Sequence, residues 1–127
     1  ASATRAVLAQ RLVRRLCPRC RREVPLSVAD AAMLGQPALA GRSGWEPDPA
    51  GCAHCLGGYK GRTGIYELLT VVPAVSEAIR TAAPPAELRR LAATAGVRDM
   101  LDDGIAKILG GTTSVAEVLR AAGARRE

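Results

Sequence analysis

The chain has 127 residues and a formal net charge of +6, from 18 Lys and Arg against 12 Asp and Glu, with no Phe, one Trp and two Tyr. This length holds one domain or two very small ones, and so few aromatics leave the core to Leu, Val, Ile and Ala, a composition that gains from an added staple. No run of about 20 apolar residues is present, which excludes a membrane-spanning helix, and the opening ASATRAVLAQRLVRRLC lacks the apolar block of a signal peptide. The first residue is Ala rather than Met, as expected of a processed chain or a piece of a longer one.

Between Thr4 and Leu16, the residues Val7, Leu8, Leu12 and Leu16 recur at helical spacing, with Arg11, Arg14 and Arg15 on the other side. This predicts an amphipathic helix whose stripe must dock on something. The helix is expected to end at the first of two C-x-x-C pairs, Cys17 with Cys20 and Cys52 with Cys55. Two such pairs in one short chain are a strong signal for zinc, because each knuckle aims two thiolates at the same ion. Four cysteines close the tetrahedron and leave no position for water or substrate, so the site is expected to be structural. The stretch from Arg21 to Gly51 is longer than the spacer of common zinc ribbons, so a small inserted element must lie within it.

Other uses of the cysteines are open at this point. CPRC resembles a redox pair, although such pairs open a helix after a strand. Two disulfides would suit an exported protein, and nothing here indicates export. Iron is a third option. His54 lies inside the second knuckle and is read as an exposed residue, since four cysteines already fill the shell. The cluster Arg11, Arg14, Arg15, Arg19, Arg21 and Arg22 would suit nucleic acid or an acidic lipid surface. A tetrathiolate site is itself negative, however, and Arg19, Arg21, Arg22, Lys60 and Arg62 are expected to offset it.

Between the pairs, Ser27 followed by Asp30 predicts a capped helix ending near Leu34, stopped by Gly35 and Pro37. GQPALAGRSGWEPDPAG is predicted as a loop, with Trp45 packing beside the zinc module. The next stretch, GCAHCLGGYKGRTGIYELL, is not a phosphate loop. It lacks the order G-x-x-x-x-G-K-[ST], and its glycines do not match the dinucleotide fingerprint. Its glycines instead let the chain turn off the metal, and GIYELLTVV follows as a short strand, with a helix start as the other possibility.

Helices follow. Pro73 opens one that runs to about Thr81 and carries Val75 and Ile79. Pro85 opens another with Leu88 and Leu91, stopped by Gly96. A third is predicted from about Arg98 to Leu109, with Met100, Leu101, Ile105, Ile108 and Leu109 inward, ended by Gly110 and Gly111. Ser114 and Glu117 make a capping box for the last, which Gly123 ends. No paired carboxylates in an apolar setting and no nucleophile near a His occur, so no catalytic residue is assigned. The predicted fold is mainly α with a small zinc-stabilised α+β module: a helix, a four-Cys module with short strands, then a compact helical cluster.

LAQRLVRRLCPRC, CAHC…GYKGRTGIYELL and AGVRDMLDDGIAKILGGTTSVAEVLR together resemble the C-terminal part of the secretion ATPases, the family of type II secretion and type IV pilus assembly motors. The likeness covers roughly Val7 to Arg120 and favours the type II branch, general secretory pathway protein E. Retraction-type pilus ATPases typically lack the four cysteines. The Cys55-to-Tyr59 spacing is one residue shorter than in relatives, and Ala116 stands where an acidic residue is common.

The resemblance implies a hexameric cytoplasmic motor that hydrolyses ATP with Mg²⁺ to build a pilus-like filament, held peripherally at the inner membrane through platform proteins. It implies residues 1–16 as a helix left from the end of a RecA-like ATPase core, 17–70 as a tetracysteine zinc subdomain and 71–127 as a helical C-terminal subdomain. Cys17, Cys20, Cys52 and Cys55 fall on the family's zinc ligands. Without Walker motifs this chain is not expected to hydrolyse ATP alone. Its expected partners are neighbouring subunits, the ATPase core and the platform. Nucleic acid is not expected, since the basic stretch lacks interleaved aromatics. The competing readings are a free-standing zinc ribbon that binds nucleic acid, a type IV pilus ATPase fragment and, more distantly, a redox enzyme.

Overall fold

A computed structural model describes residues 6–70, 73–94 and 99–123. In chain order its elements are β1 (Ala6–Leu16), β2 (Arg22–Pro25), α1 (Val28–Met33), a 3-10 turn (Pro37–Leu39), β3 (Ser43–Glu46), β4 (Tyr59–Thr70), α2 (Pro73–Arg80), α3 (Pro85–Thr94), α4 (Met100–Leu109) and α5 (Val115–Ala122). The mainly α fold and its helix-first order are therefore corrected: 37% of the residues are helical and 28% are in strands.

The correction begins at β1. The stretch expected to be an amphipathic helix is a strand, paired antiparallel with β4 from Ala6↔Thr70 to Arg14↔Arg62, and again at Leu16↔Tyr59 beyond a bulge. Its residues alternate between the two sheet faces. Val13 (0% exposed) faces inward on the same side as Ile65 (0%) of β4, whereas Leu8 (63%) and Leu12 (49%) point outward beside Leu68 (48%) and Tyr66 (40%). The bulge shifts the alternation and turns Leu16 in, to 4% exposed. A long partner that satisfies the β1 backbone overrides a helical spacing of only a few apolar residues. The side chain of Val7 lies outside the described residues.

A second small sheet, β2 with β3, occupies the stretch between the cysteine pairs. Ser43–Glu46, expected as loop, pairs with Arg22–Pro25 in the register Arg22↔Glu46 to Pro25↔Ser43. Helix α1 forms as expected: the Ser27 side chain accepts the Asp30 N–H at 3.0 Å, and Gly35 with φ 76° follows its end.

The C-terminal helices are not a cluster of their own. Leu26, Ala31, Leu34 and Leu39, all from between the cysteine pairs, form one core with Leu101, Ile105 and Ile108 of α4 and Val118 of α5. Each of the Leu, Ile and Val side chains contributes about 1.5–3 kcal/mol by leaving water. Helix α4 also packs on β4 and β3, and α5 on β1 and β3, while α2 and α3 pack on each other. Among the described side chains of α2, Ala78 (6%) is buried and Ile79 is 40% exposed, while the side chain of Val75 lies outside the described residues. Gly96 and Arg98 lie outside the described residues.

Candidate metal centre

The first knuckle follows the end of β1. Cys17 donates its N–H to the Gly58 carbonyl at 2.9 Å, and its own carbonyl accepts the Arg21 N–H at 3.0 Å, closing the turn that carries Cys20. The second knuckle is tied on both sides. Gly51 donates to the Asp48 carbonyl at 2.8 Å, and Leu56 and Tyr59 exchange N–H···O bonds of 3.0 and 3.2 Å. Gly57 (φ 62°) and Gly58 (φ 91°) make the two-residue turn between them, a conformation that side-chain-bearing residues rarely adopt. A Cβ on Gly58 would also lie 2.5 Å from the Pro47 side chain and 2.7 Å from the Asp48 carbonyl oxygen. The expected role of these glycines, turning the chain off the knuckle, holds at this pair.

The knuckles bring Cys17, Cys20, Cys52 and Cys55 together, with all four sulfurs within 4.8 Å of one another. The separations are 3.8 Å for Cys17–Cys52, 3.7 Å for Cys20–Cys55 and 3.6 Å for Cys52–Cys55. A zinc ion with sulfurs at about 2.3 Å sets tetrahedral edges of about 3.8 Å. The donor set fits that ion, and the separations are far longer than the roughly 2 Å of a disulfide. Cys17 is buried and the other three are half-buried.

Electrostatics points the same way. Burial pushes the Cys17 thiol up, but N–H donors from Arg19 and Cys20 and the thiols of Cys52 and Cys20 outweigh it and bring it down to about 7. At Cys20 burial and the neighbouring sulfurs act together and push the thiol up to about 12. The cluster thus accepts one negative charge readily and resists a second. A divalent cation reverses that balance.

Among the described residues the sulfurs are approached by one another and by backbone N–H groups, Cys52 to Cys55 Sγ at 3.2 Å and His54 to Cys52 Sγ at 3.4 Å. Two of the five cations expected to offset the thiolates are engaged elsewhere. Arg21 donates to the Gly111 carbonyl at 2.6 Å and lies 4.2 Å over the Trp45 ring, and Arg22 pairs with Glu46 at 3.4 Å across β2 and β3. The side chain of His54 is exposed, as expected.

The model of the type II/IV secretion system protein family matches residues 1–120. The chain belongs to this family. Over 120 residues it is 43% identical to type II secretion system protein E of Aeromonas hydrophila, covering 91% of this chain and 23% of that protein. It is 44% identical over 117 residues to type II secretion system protein E of Klebsiella pneumoniae, covering 91% and 22%. It is 34% identical over 131 residues to the type IV pilus assembly ATPase PilB of Acinetobacter baylyi, covering 94% and 21%. The chain thus spans about a quarter or less of the length of these relatives.

What sequence reasoning missed in this family member is the frame that ties the centre to α5. Glu117, whose side chain is 3% exposed, accepts the Arg14 backbone N–H at 2.7 Å and the guanidinium groups of Arg14 (3.1 Å) and Arg120 (3.0 Å). Thr113 donates to the Arg14 carbonyl at 2.8 Å, and Tyr59 and Ser114 share a hydroxyl hydrogen bond of 2.8 Å. Ser114 caps α5 by accepting the Glu117 N–H at 3.3 Å, as expected. The other half of that capping box is replaced, because the Glu117 carboxylate is spent on the arginines. Local spacing identifies a cap but carries no trace of a partner about a hundred residues away.

Proposed function

We propose that this chain is the C-terminal, non-catalytic metal-binding portion of a secretion ATPase, and that Cys17, Cys20, Cys52 and Cys55 hold a structural Zn²⁺. The observation that carries the reading is the convergence of these four sulfurs, at tetrahedral spacing, in a member of this family. When bound, zinc supplies cross-linking and charge neutralisation; the chain supplies the two knuckles and the N–H donors that fix the thiolates.

The longer protein would be a hexameric cytoplasmic motor held at the inner membrane through platform proteins. Its core would hydrolyse ATP with Mg²⁺, residues 1–16 would continue that core, 17–70 would form the zinc-binding part and 71–127 the C-terminal part. The open face of the β1–β4 sheet, with Leu8, Leu12, Tyr66 and Leu68, is a surface on which the core would pack. Type II secretion is favoured because its relatives match at the higher identities; pilus assembly is the second reading, supported by the match to PilB.

The test has two arms. Chain purified without added metal is expected to carry one zinc, lost in Cys17→Ser with Cys52→Ser. In the full-length protein the same substitutions are expected to abolish secretion in a strain that depends on it. A folded chain free of metal, or full secretion by the double variant, would overturn the reading.

A further inference from the structure

Beside the second knuckle lies an open groove of about 860 Å³, and Arg14, His54, Leu56, Tyr59, Lys60 and Arg62 are among the residues that line it. Two of its features have no structural use. Lys60 and Arg62 form no ion pair among the described residues, and neither donates to a cysteine sulfur there. Moreover, Arg62 sits directly opposite Arg14 in the β1–β4 register, a placement that costs stability when both residues are cationic. Of this opposed pair, Arg14 is matched by Glu117 and Arg62 is not. At the lip of the groove, Leu56 is 86% exposed, the most exposed large apolar side chain among the described residues, while its backbone is held by the two hydrogen bonds to Tyr59.

We infer that this groove docks an acidic segment of a partner protein, with carboxylates on Lys60 and Arg62 and an apolar side chain against Leu56. The chemistry of the surface selects this occupant. Of the two rings that line the groove among the described residues, Tyr59 is covered by the Arg14 guanidinium at 4.0 Å and fixed through its hydroxyl by Ser114, which leaves the single imidazole of His54 where successive bases need a row of rings. One leucine on a rigid turn is far less apolar surface than membrane insertion uses. Unneutralised cations around an apolar point match an acidic peptide with an apolar anchor. This surface gives a chemistry to the partner contact in the preceding reading and rests on it, yet its test is independent of metal content.

The experiment uses the chain as purified and a fluorescein-labelled peptide of repeating Glu-Glu-Leu, followed by fluorescence anisotropy. Saturable binding in the micromolar range is expected, weakening as salt rises. Arg62→Thr is expected to weaken binding about threefold to fivefold, and Lys60→Glu with Arg62→Thr about tenfold or more. Leu56→Ser is expected to weaken Glu-Glu-Leu about fivefold and to leave a Glu-Glu-Ser control unchanged. Arg62→Thr should also keep or raise the Tm, since it removes the like-charge pair, so that lost binding cannot be read as lost folding. Absence of saturable binding at low salt would overturn the inference. So would binding indifferent to Lys60 and Arg62, or tighter capture of oligothymidylate, of phosphatidylglycerol vesicles or of a second copy of the chain through the same residues.

Discussion

Glu117 shows how one side chain joins distant parts of the chain. Burial alone would raise its carboxyl, but the guanidinium groups of Arg120 and Arg14, with the Arg14 N–H, outweigh that and hold it at about 2, below its ordinary 4.5. A carboxylate depressed in this way contributes stability that is complete above its unfolded value and is lost as pH falls toward the folded one. Urea unfolding at stepped pH should therefore show stability falling from about pH 5 to about pH 2. Glu117→Gln should cost about 1–3 kcal/mol near neutral pH, discounted because both arginines are half exposed. The variant should also flatten that part of the acid profile, which separates Glu117 from protonation of the cysteines. An acid profile identical to wild type would remove Glu117 from the account. Nearby, Tyr59→Phe leaves Ser114 without its hydroxyl partner and should cost about 1 kcal/mol in the same measurement.

At the scale of elements, α4 and α5 approach closely. A Cβ on Gly104 would lie 2.5 Å from Val118 Cγ1, so glycine is what lets the two helices meet. Gly104→Val should lower stability by about 1–3 kcal/mol through overpacking, read as a shift in Tm; an unchanged Tm would mean that the helices do not pack this way. Elements whose signals are local were legible in the sequence. The caps at Ser27 and Ser114 and the ends at Gly35, Gly110 and Gly123 all depend on residues a few positions apart. The Asp99 cap of α4, which has a full capping box with Asp102, was as local and was still missed. Strand β1 was not legible, because Val7, Leu8, Leu12 and Leu16 fit a helix and only pairing with β4, far along the chain, selects the strand. The same holds for β3, whose Ser-Gly-Trp-Glu reads as loop until β2 is laid beside it. Of the candidate centre, the four cysteines were legible from spacing, whereas Arg14, Tyr59 and Glu117 meet only in the fold.

For the whole molecule, the expectation is that the candidate metal centre and the C-terminal helices α4 and α5 unfold as one cooperative unit. The stretch between the cysteine pairs shares a core with these helices, and three further links join the knuckles to the segment between α4 and α5: the Leu16 N–H to the Thr112 carbonyl at 2.8 Å, Arg21 to the Gly111 carbonyl at 2.6 Å, and Tyr59 to Ser114 at 2.8 Å. Every one of these links starts within or next to a knuckle. Structural zinc in small domains is worth about 10–16 kcal/mol of apparent binding energy, comparable with or larger than the total stability of a domain of this size. Releasing the metal should therefore loosen the helices as well as the knuckles. The most direct test is amide hydrogen exchange of the zinc-loaded chain before and after chelation, read at Ile105, Ile108 and Val118. The account predicts that protection at these three buried positions collapses in step with metal release. Protection that stays unchanged after the metal has gone would contradict it, and would show that the helices stand without the centre.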